Sequence, residues 1–197
     1  MTFRGPVPAG TGPDPIHNAS AARELALRFL QPLGDRWRHT VGVAGQASEV
    51  ARTVPPGDRD YLISAAWLHD IGYAGSVVDT GLHGVDGARL LDRLGWPARI
   101  AALVAHHSGA RFVARVNGAS DALGQYPCEH SAVSDALTYA DQTTGPAGQP
   151  MAPEDRLAEM LRRHGPDSSQ ARVHEVRAPY LRATVARVRQ RLRAMDG

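Results

Sequence analysis

The stretch "DRDYLISAAWLHDIGY", residues 58–73, closes an apolar helical run with a histidine and an aspartate side by side. Asp58 is the expected N-cap and Gly72 the expected stop of that helix. His69 and Asp70 therefore stand where a buried helix finishes. A His-Asp pair is common, and by itself it reads as a polar exit from a helix C-terminus. Its meaning depends on whether the rest of the chain supplies partners.

Outward from this stretch the apolar spacing stays helical. Upstream, "SAARELALRFLQPLG" (20–34) begins at a capping residue, Ser20, and sets Leu25, Phe29 and Leu33 on one face. "RHTVGVAGQASEVARTV" (38–54) carries Val43, Ala47, Val50 and Val54 at three- and four-residue steps, until Pro55-Pro56-Gly57 ends it. Downstream come "GVDGARLLDRLG" (84–95), "PARIAALVAHHSG" (97–109) with Pro97 suited to a first turn, and a less regular region near 109–128. "HSAVSDALTYADQTTG" (130–145) is helical again. The break "GPAGQP" then leads to "APEDRLAEMLRRHG" (152–165) and a last long helix over about 169–194. Neither an alternating strand pattern, an internal repeat nor a glycine-rich phosphate loop is found. The pattern predicts an all-α fold: one helical bundle ending in an Arg-rich helix. Residues 1–17 read as a flexible leader, 18–145 as the bundle and 146–197 as a helical extension packed on it.

Composition narrows the classes. The chain has 197 residues, of which 43% are hydrophobic, enough for one domain with a sizeable core. No apolar run has membrane-spanning length, and the Pro/Gly-rich start lacks the apolar centre of a signal peptide. The single cysteine, Cys128, excludes an internal disulfide and gives no support to a Cys-based zinc site. A reducing cytoplasm is the simplest compartment. Every one of the 22 basic residues is arginine, and their distribution is uneven. Residues 1–161 hold 13 Arg against 17 acids, a net of −4; residues 162–197 hold 9 Arg against 3, a net of +6. Such a tail could meet a nucleic acid or an acidic partner, but one solvated helix face explains it more simply, so no nucleic acid is expected. A homo-oligomer using the tail stays open.

The polar exceptions to the apolar pattern fall in order. His39 lies near the start of the second helix, His69 and Asp70 end the third, His83 precedes the fourth, and His106 and His107 end the fifth. Asp141 lies four residues after Leu137 and so shares its inward face. A buried carboxylate among imidazoles is costly unless it is paired or metal-bound, and this mixture suits zinc, manganese, iron or similar divalent ions. Helices from distant parts of a chain can focus such ligands in a bundle core.

These residues resemble the HD-domain metal-dependent phosphohydrolases. "RWRHTVGVA", "AAWLHDIGY", "HGVDGARLL", "LVAHHSG" and "LTYAD" occur in that family's order, over about residues 20–145. The resemblance implies that His39, His69, Asp70 and Asp141 bind one metal. His83 and one of the 106–107 pair resemble the subgroup with a second metal, Asp70 bridging. "HGVDGARLL" and "AHHSG" look like the matching segments of HD enzymes that cleave dinucleoside tetraphosphates, and that alignment favours His106 as the ligand. The implied cofactor is one or two divalent ions among Fe, Mn, Zn, Ni, Co and Mg. The implied activity is hydrolysis of a nucleotide or other small phosphorylated metabolite by a metal-activated water. Where HD 5'-nucleotidases carry a glutamate three positions after the HD aspartate, this chain has Tyr73. That argues against that subgroup and leaves proton relay to His107 or Asp135, with Asp70 and His107 as the catalytic candidates. Arg36, three before His39, either holds a phosphate or pairs with a core carboxylate. Arg111 and Arg115 are further phosphate candidates, with solvated arginines as the simpler reading. His17, His130, His164 and His174 read as surface residues, and the tail from Arg172 onward as dispensable for chemistry. Two other functions share the pattern: a diiron oxygenase cleaving a C–C or C–P bond, and a non-catalytic nucleotide-sensing module.

Overall fold

The computed structural model describes residues 17–197. The predicted leader, residues 1–17, lies outside the described residues except for His17. The helices are α1 (Ala19–Leu30), α2 (Asp35–Val50), α3 (Arg59–Leu68), α4 (His83–Arg93), α5 (Ala98–His106), α6 (Ala110–Val116), α7 (Ser120–Leu123), α8 (Ala132–Gln142), α9 (Pro153–His164), α10 (Ser169–Arg172) and α11 (His174–Asp196), with several 3₁₀ turns between them. Among the described residues no strand occurs, only an isolated bridge between Thr144 and Pro150, so the fold is all-α as expected. None of these helices is long and apolar enough to cross a membrane.

Helix α3 is the hub, packing against α1, α2, α5 and α8. Its small residues Ser64, Ala65 and Ala66 are buried together with Leu62 and Leu68, which lets neighbours approach on several sides. One apolar cluster gathers Leu68 and Ile71 with Val85 and Leu91 of α4 and Ile100 and Val104 of α5. A second gathers Val43 and Ala47 of α2, Leu62 of α3, Leu103 of α5 and Leu137 of α8 with Val188 of α11. Each of the Val, Leu and Ile side chains among them stabilises the fold by about 1.5–3 kcal/mol when fully buried. These clusters hold the ends of α2, α3, α5 and α8 at one focus.

Local details differ from the predicted ones. Asn18, not Ser20, caps α1, its side chain accepting from the Ala21 N–H. The buried stripe of α1 is Ala22, Ala26 and Leu30, with Leu33 39% exposed beyond it. Asp58 makes no cap bond; its carboxylate takes two bonds from Arg99 and ties the start of α3 to α5. Gly72 does not end α3 through a left-handed conformation. It lies in a 3₁₀ turn, Ile71–Tyr73, pressed against the first turn of α4. The last helical segment breaks at Val173 into α10 and α11.

Helix α11 packs along α8 and is anchored by charge as well as by Leu181, Val185 and Val188. Arg187 donates to both oxygens of Asp135, at 2.5 and 2.9 Å, and Arg191 adds a bond of 2.7 Å. Asp135 is thus a clamp between helices, turned away from the role of proton relay considered above. Burial pushes its carboxyl upward, but the two guanidinium groups outweigh this and lower its pKa. A depressed folded pKa contributes stability above the unfolded value, near 4, and loses it as pH falls through the folded value. Asp135→Asn should therefore cost roughly 1–2 kcal/mol at pH 7, discounted because both arginines are partly in water. The gap to wild type should narrow as pH drops below 4, and urea unfolding at both pH values measures it.

Candidate metal centre

Three imidazoles are oriented by the same device. His39 Nδ1–H donates to the Gly145 carbonyl at 3.0 Å, His69 Nδ1–H to Ala66 at 2.8 Å and His107 Nδ1–H to Val104 at 2.6 Å. A carbonyl can only accept, so in each ring Nδ1 carries a proton, and Nε2, facing inward, is the atom that the neutral ring offers as a ligand. For His69 and His107 the acceptor is the carbonyl three residues earlier, at the end of their own helix. For His39 it comes from the "GPAGQP" break. Gly148 in that break lies so close to the Arg38 carbonyl of α2, at φ +84°, that a Cβ there would overlap it.

The Nε2 atoms converge on two carboxylates. Asp70 Oδ2 lies 3.2 Å from His69 Nε2 and 3.8 Å from His39 Nε2; Asp70 Oδ1 lies 3.4 Å from His83 Nε2 and 4.0 Å from His107 Nε2. Asp141 Oδ1 lies 3.1 Å from His39 Nε2. Its other oxygen accepts from the Ser108 hydroxyl and from Gln142 at 3.0 Å. Two triads, His39-His69-Asp70 and Asp70-His83-His107, each bring one ligand atom per residue within 4.8 Å of the others, and Asp70 belongs to both. His69 Nε2 is buried without a hydrogen-bond partner, and the Nε2 atoms of His83 and His107 face each other at 3.1 Å. Inward-facing nitrogens beside carboxylates are stabilised by a cation between them, either a proton, as the His83–His107 contact allows, or a metal ion. The donor set of imidazole nitrogens and carboxylate oxygens fits one or two divalent ions.

The electrostatics point the same way. Burial opposes ionisation of Asp70, but the Arg36 guanidinium beside it overcomes this and helps hold its carboxyl well below the usual range. Burial likewise opposes ionisation of Asp141, and its contact with the His39 ring and the charge of Arg156 overcome it. Burial drives the His83 pKa down to about 3 and also lowers that of His107, so both stay neutral and able to ligate. Arg36 bonds Asp70 Oδ2 at 2.7 Å and lies over the Tyr73 ring, which stacks on His83. Burial raises the Tyr73 pKa to about 12, so its hydroxyl stays protonated near neutrality and can donate but not act as a base.

The structure corrects four expectations about the site. It turns His107, not His106, toward the cluster; His106 Nε2 instead contacts the Tyr126 carbonyl at 2.8 Å. The reason lies in the next two residues. Ser108 (φ +51°) and Gly109 (φ +69°) are both left-handed, so the chain reverses just after His107, where Ser108 bonds Asp141. Arg111 stacks over Tyr180 and Phe112, Arg115 is exposed, and neither lines the cavity beside the cluster. The tail does reach the site. A cavity of about 310 Å³ opens onto Asp70, His83, His107 and Asp141, and its other wall includes Arg156 and Arg163 of α9 and Arg177 of α11. His164, read from the sequence as a surface residue, lines it too. Arg156, Met160 and Arg163 follow an i, i+4, i+7 pattern, a signal of one shared face that could have singled them out.

The family model described as HD domain matches residues 36–159, more than half of the chain and far enough to include α9 up to Glu159. No curated protein and no solved structure matches the chain. Members of the matched family are generally metal-dependent phosphohydrolases. The match extends over α2 to α9, the segment that supplies both triads and Asp141, and on it rests the conclusion that this chain belongs to the HD-domain family.

Proposed function

We propose that the protein is a metal-dependent phosphohydrolase of small phosphorylated metabolites. The observation that carries this reading is the pair of His/Asp triads sharing Asp70 at the floor of an arginine-walled cavity. His39, His69, Asp70 and Asp141 would hold one divalent ion, and Asp70, His83 and His107 a second. Such ions polarise a phosphoryl oxygen and bring the pKa of water toward neutrality. The chain's own residues do the rest. Backbone carbonyls hold three imidazoles in the ligating tautomer. Arg36, at the cavity edge, is placed to neutralise a phosphoryl oxygen as well as to orient Asp70. His107, with Nδ1 committed to Val104, serves as a ligand and not as a free base. The Tyr73 hydroxyl is protonated, which suits donation toward a substrate oxygen. At about 310 Å³ the cavity suits a small metabolite and not a polymer.

The test is phosphate release from small phosphate esters and anhydrides by protein reconstituted separately with Mn, Fe, Co, Ni, Zn or Mg, under anaerobic conditions. Release without oxygen supports hydrolysis; turnover that requires oxygen, with or without phosphate release, would instead favour the diiron oxygenase that shares this ligand chemistry. In the same protein, His107→Ala should lower the metal-to-protein ratio by about one ion where two are bound. His106→Ala should leave that ratio unchanged, and the reverse pattern would reject the ligand set.

A further inference from the structure

The cavity wall contributed by the C-terminal helices holds more positive charge than the chain itself neutralises. Four arginines line the cavity: Arg36, Arg156, Arg163 and Arg177. Arg36 is bonded to Asp70 at 2.7 Å. Arg156 and Arg163 share a single carboxylate, Glu159, at 2.5 and 2.7 Å, and Arg156 lies 3.6 Å from Asp141. Arg177 has neutral partners instead: the Ser108 carbonyl at 3.0 Å and the Met160 sulfur at 3.1 Å. Among the described residues no carboxylate pairs with it. A guanidinium withdrawn from water without a counter-charge is costly. Arg156 is 7% exposed, and its Nε has no hydrogen-bond partner. Any cation held by Asp70 and Asp141 also occupies the carboxylates that now offset Arg36 and Arg156. The wall formed by Arg156, Arg163 and Arg177 thus awaits an anion of its own.

On the phosphohydrolase reading above, we infer that the substrate carries two phosphoryl groups. One faces the His/Asp cluster; the second is held by Arg156, Arg163 and Arg177, so diphosphates or bisphosphorylated metabolites are selected over monoesters. Planar guanidinium forks match the oxygens of a phosphate in pairs, and a second phosphate supplies the charge that the wall lacks. Both groups open onto one cavity of about 310 Å³, so a compact substrate places its phosphates close together. The assignment gives α9 and α11 a part in specificity.

Methylenebisphosphonate and methylphosphonate, titrated calorimetrically into metal-loaded protein, test this. Wild type should bind the bisphosphonate at least about tenfold more tightly. In Arg177→Gln and in Arg163→Gln that preference should fall by about tenfold, while methylphosphonate affinity changes by less than about threefold. If Arg177→Gln fails to fold, Arg163→Gln decides, since Arg163 is a third exposed. Failure of wild type to bind either compound would sink the phosphohydrolase reading, and this inference with it. Methylphosphonate binding without a bisphosphonate preference overturns the second subsite alone. So does a preference that survives both substitutions, because the metals would then account for it. Equal loss of both ligands also overturns it, because the arginines would then act on the reacting group or on the fold.

Discussion

Asp70→Ala should release bound metal and reduce phosphate release by roughly three orders of magnitude or more, while far-UV circular dichroism stays close to wild type. Asp70 is the one residue common to both triads, with Oδ2 toward His39 and His69 and Oδ1 toward His83 and His107. Its removal takes a ligand from each position at once. A metal contributes several kcal/mol of charge stabilisation in phosphoryl transfer, and each ~1.4 kcal/mol is tenfold in rate. The helices do not depend on the carboxylate, because the apolar clusters of α2, α3, α4, α5 and α8 hold them. Metal analysis by mass spectrometry, with activity on the same samples, gives the answer. Full metal occupancy in Asp70→Ala would reject the site.

Gly72→Ala should cost on the order of 3–5 kcal/mol, a large effect for one methyl group. A Cβ at Gly72 would overlap the His83 carbonyl oxygen and lie 2.7 Å from the Gly87 nitrogen and 2.8 Å from the His83 carbonyl carbon. All three are backbone atoms, so no side chain can rotate away, and α4 must shift as a body. That shift moves His83 off the cluster. The variant should melt roughly 10 °C lower, given a few degrees per kcal/mol for a chain of this size, and should bind less metal. Gly45→Ala in α2 is the matched control, because a Cβ there meets nothing within 4 Å. Removing a helix-interior glycine at an open site should be neutral or stabilise by up to about 1 kcal/mol. Equal melting temperatures for the two variants would show that the close approach of the HD turn to α4 has no such cost.

Much of this molecule is legible along the chain. The helices follow from apolar residues at three- and four-residue steps, a local pattern that burial of one face imposes, and Pro55-Pro56 and the Gly/Pro breaks mark their ends. His39, His69, Asp70, His83 and Asp141 stand out for a related reason. Each is a polar residue on or beside a face that is otherwise apolar, and the structure gathers them within contact distance of one another. The family order of those residues is likewise a property of the sequence, and the HD-domain match agrees with it.

Other features depend on tertiary structure. Neighbouring residues on a helix point about 100° apart, so whether His106 or His107 faces the cluster turns on how the chain leaves α5. That exit is set by the left-handed pair Ser108 and Gly109 and by contacts of Ser108 with Thr138 and Asp141, 30 and 33 residues away. Gly72 is an ordinary helix stop by sequence; only the approach of α4 makes a side chain there intolerable. The arginines of the tail carry no local mark that separates Arg177, which lines the cavity, from Arg187, which clamps Asp135. Their roles differ because α9 and α11 fold back over the ends of α3, α5 and α8. Local periodicity fixes which residues share a face of one helix, whereas the cavity wall is a sum over faces of several helices, and only their packing decides it.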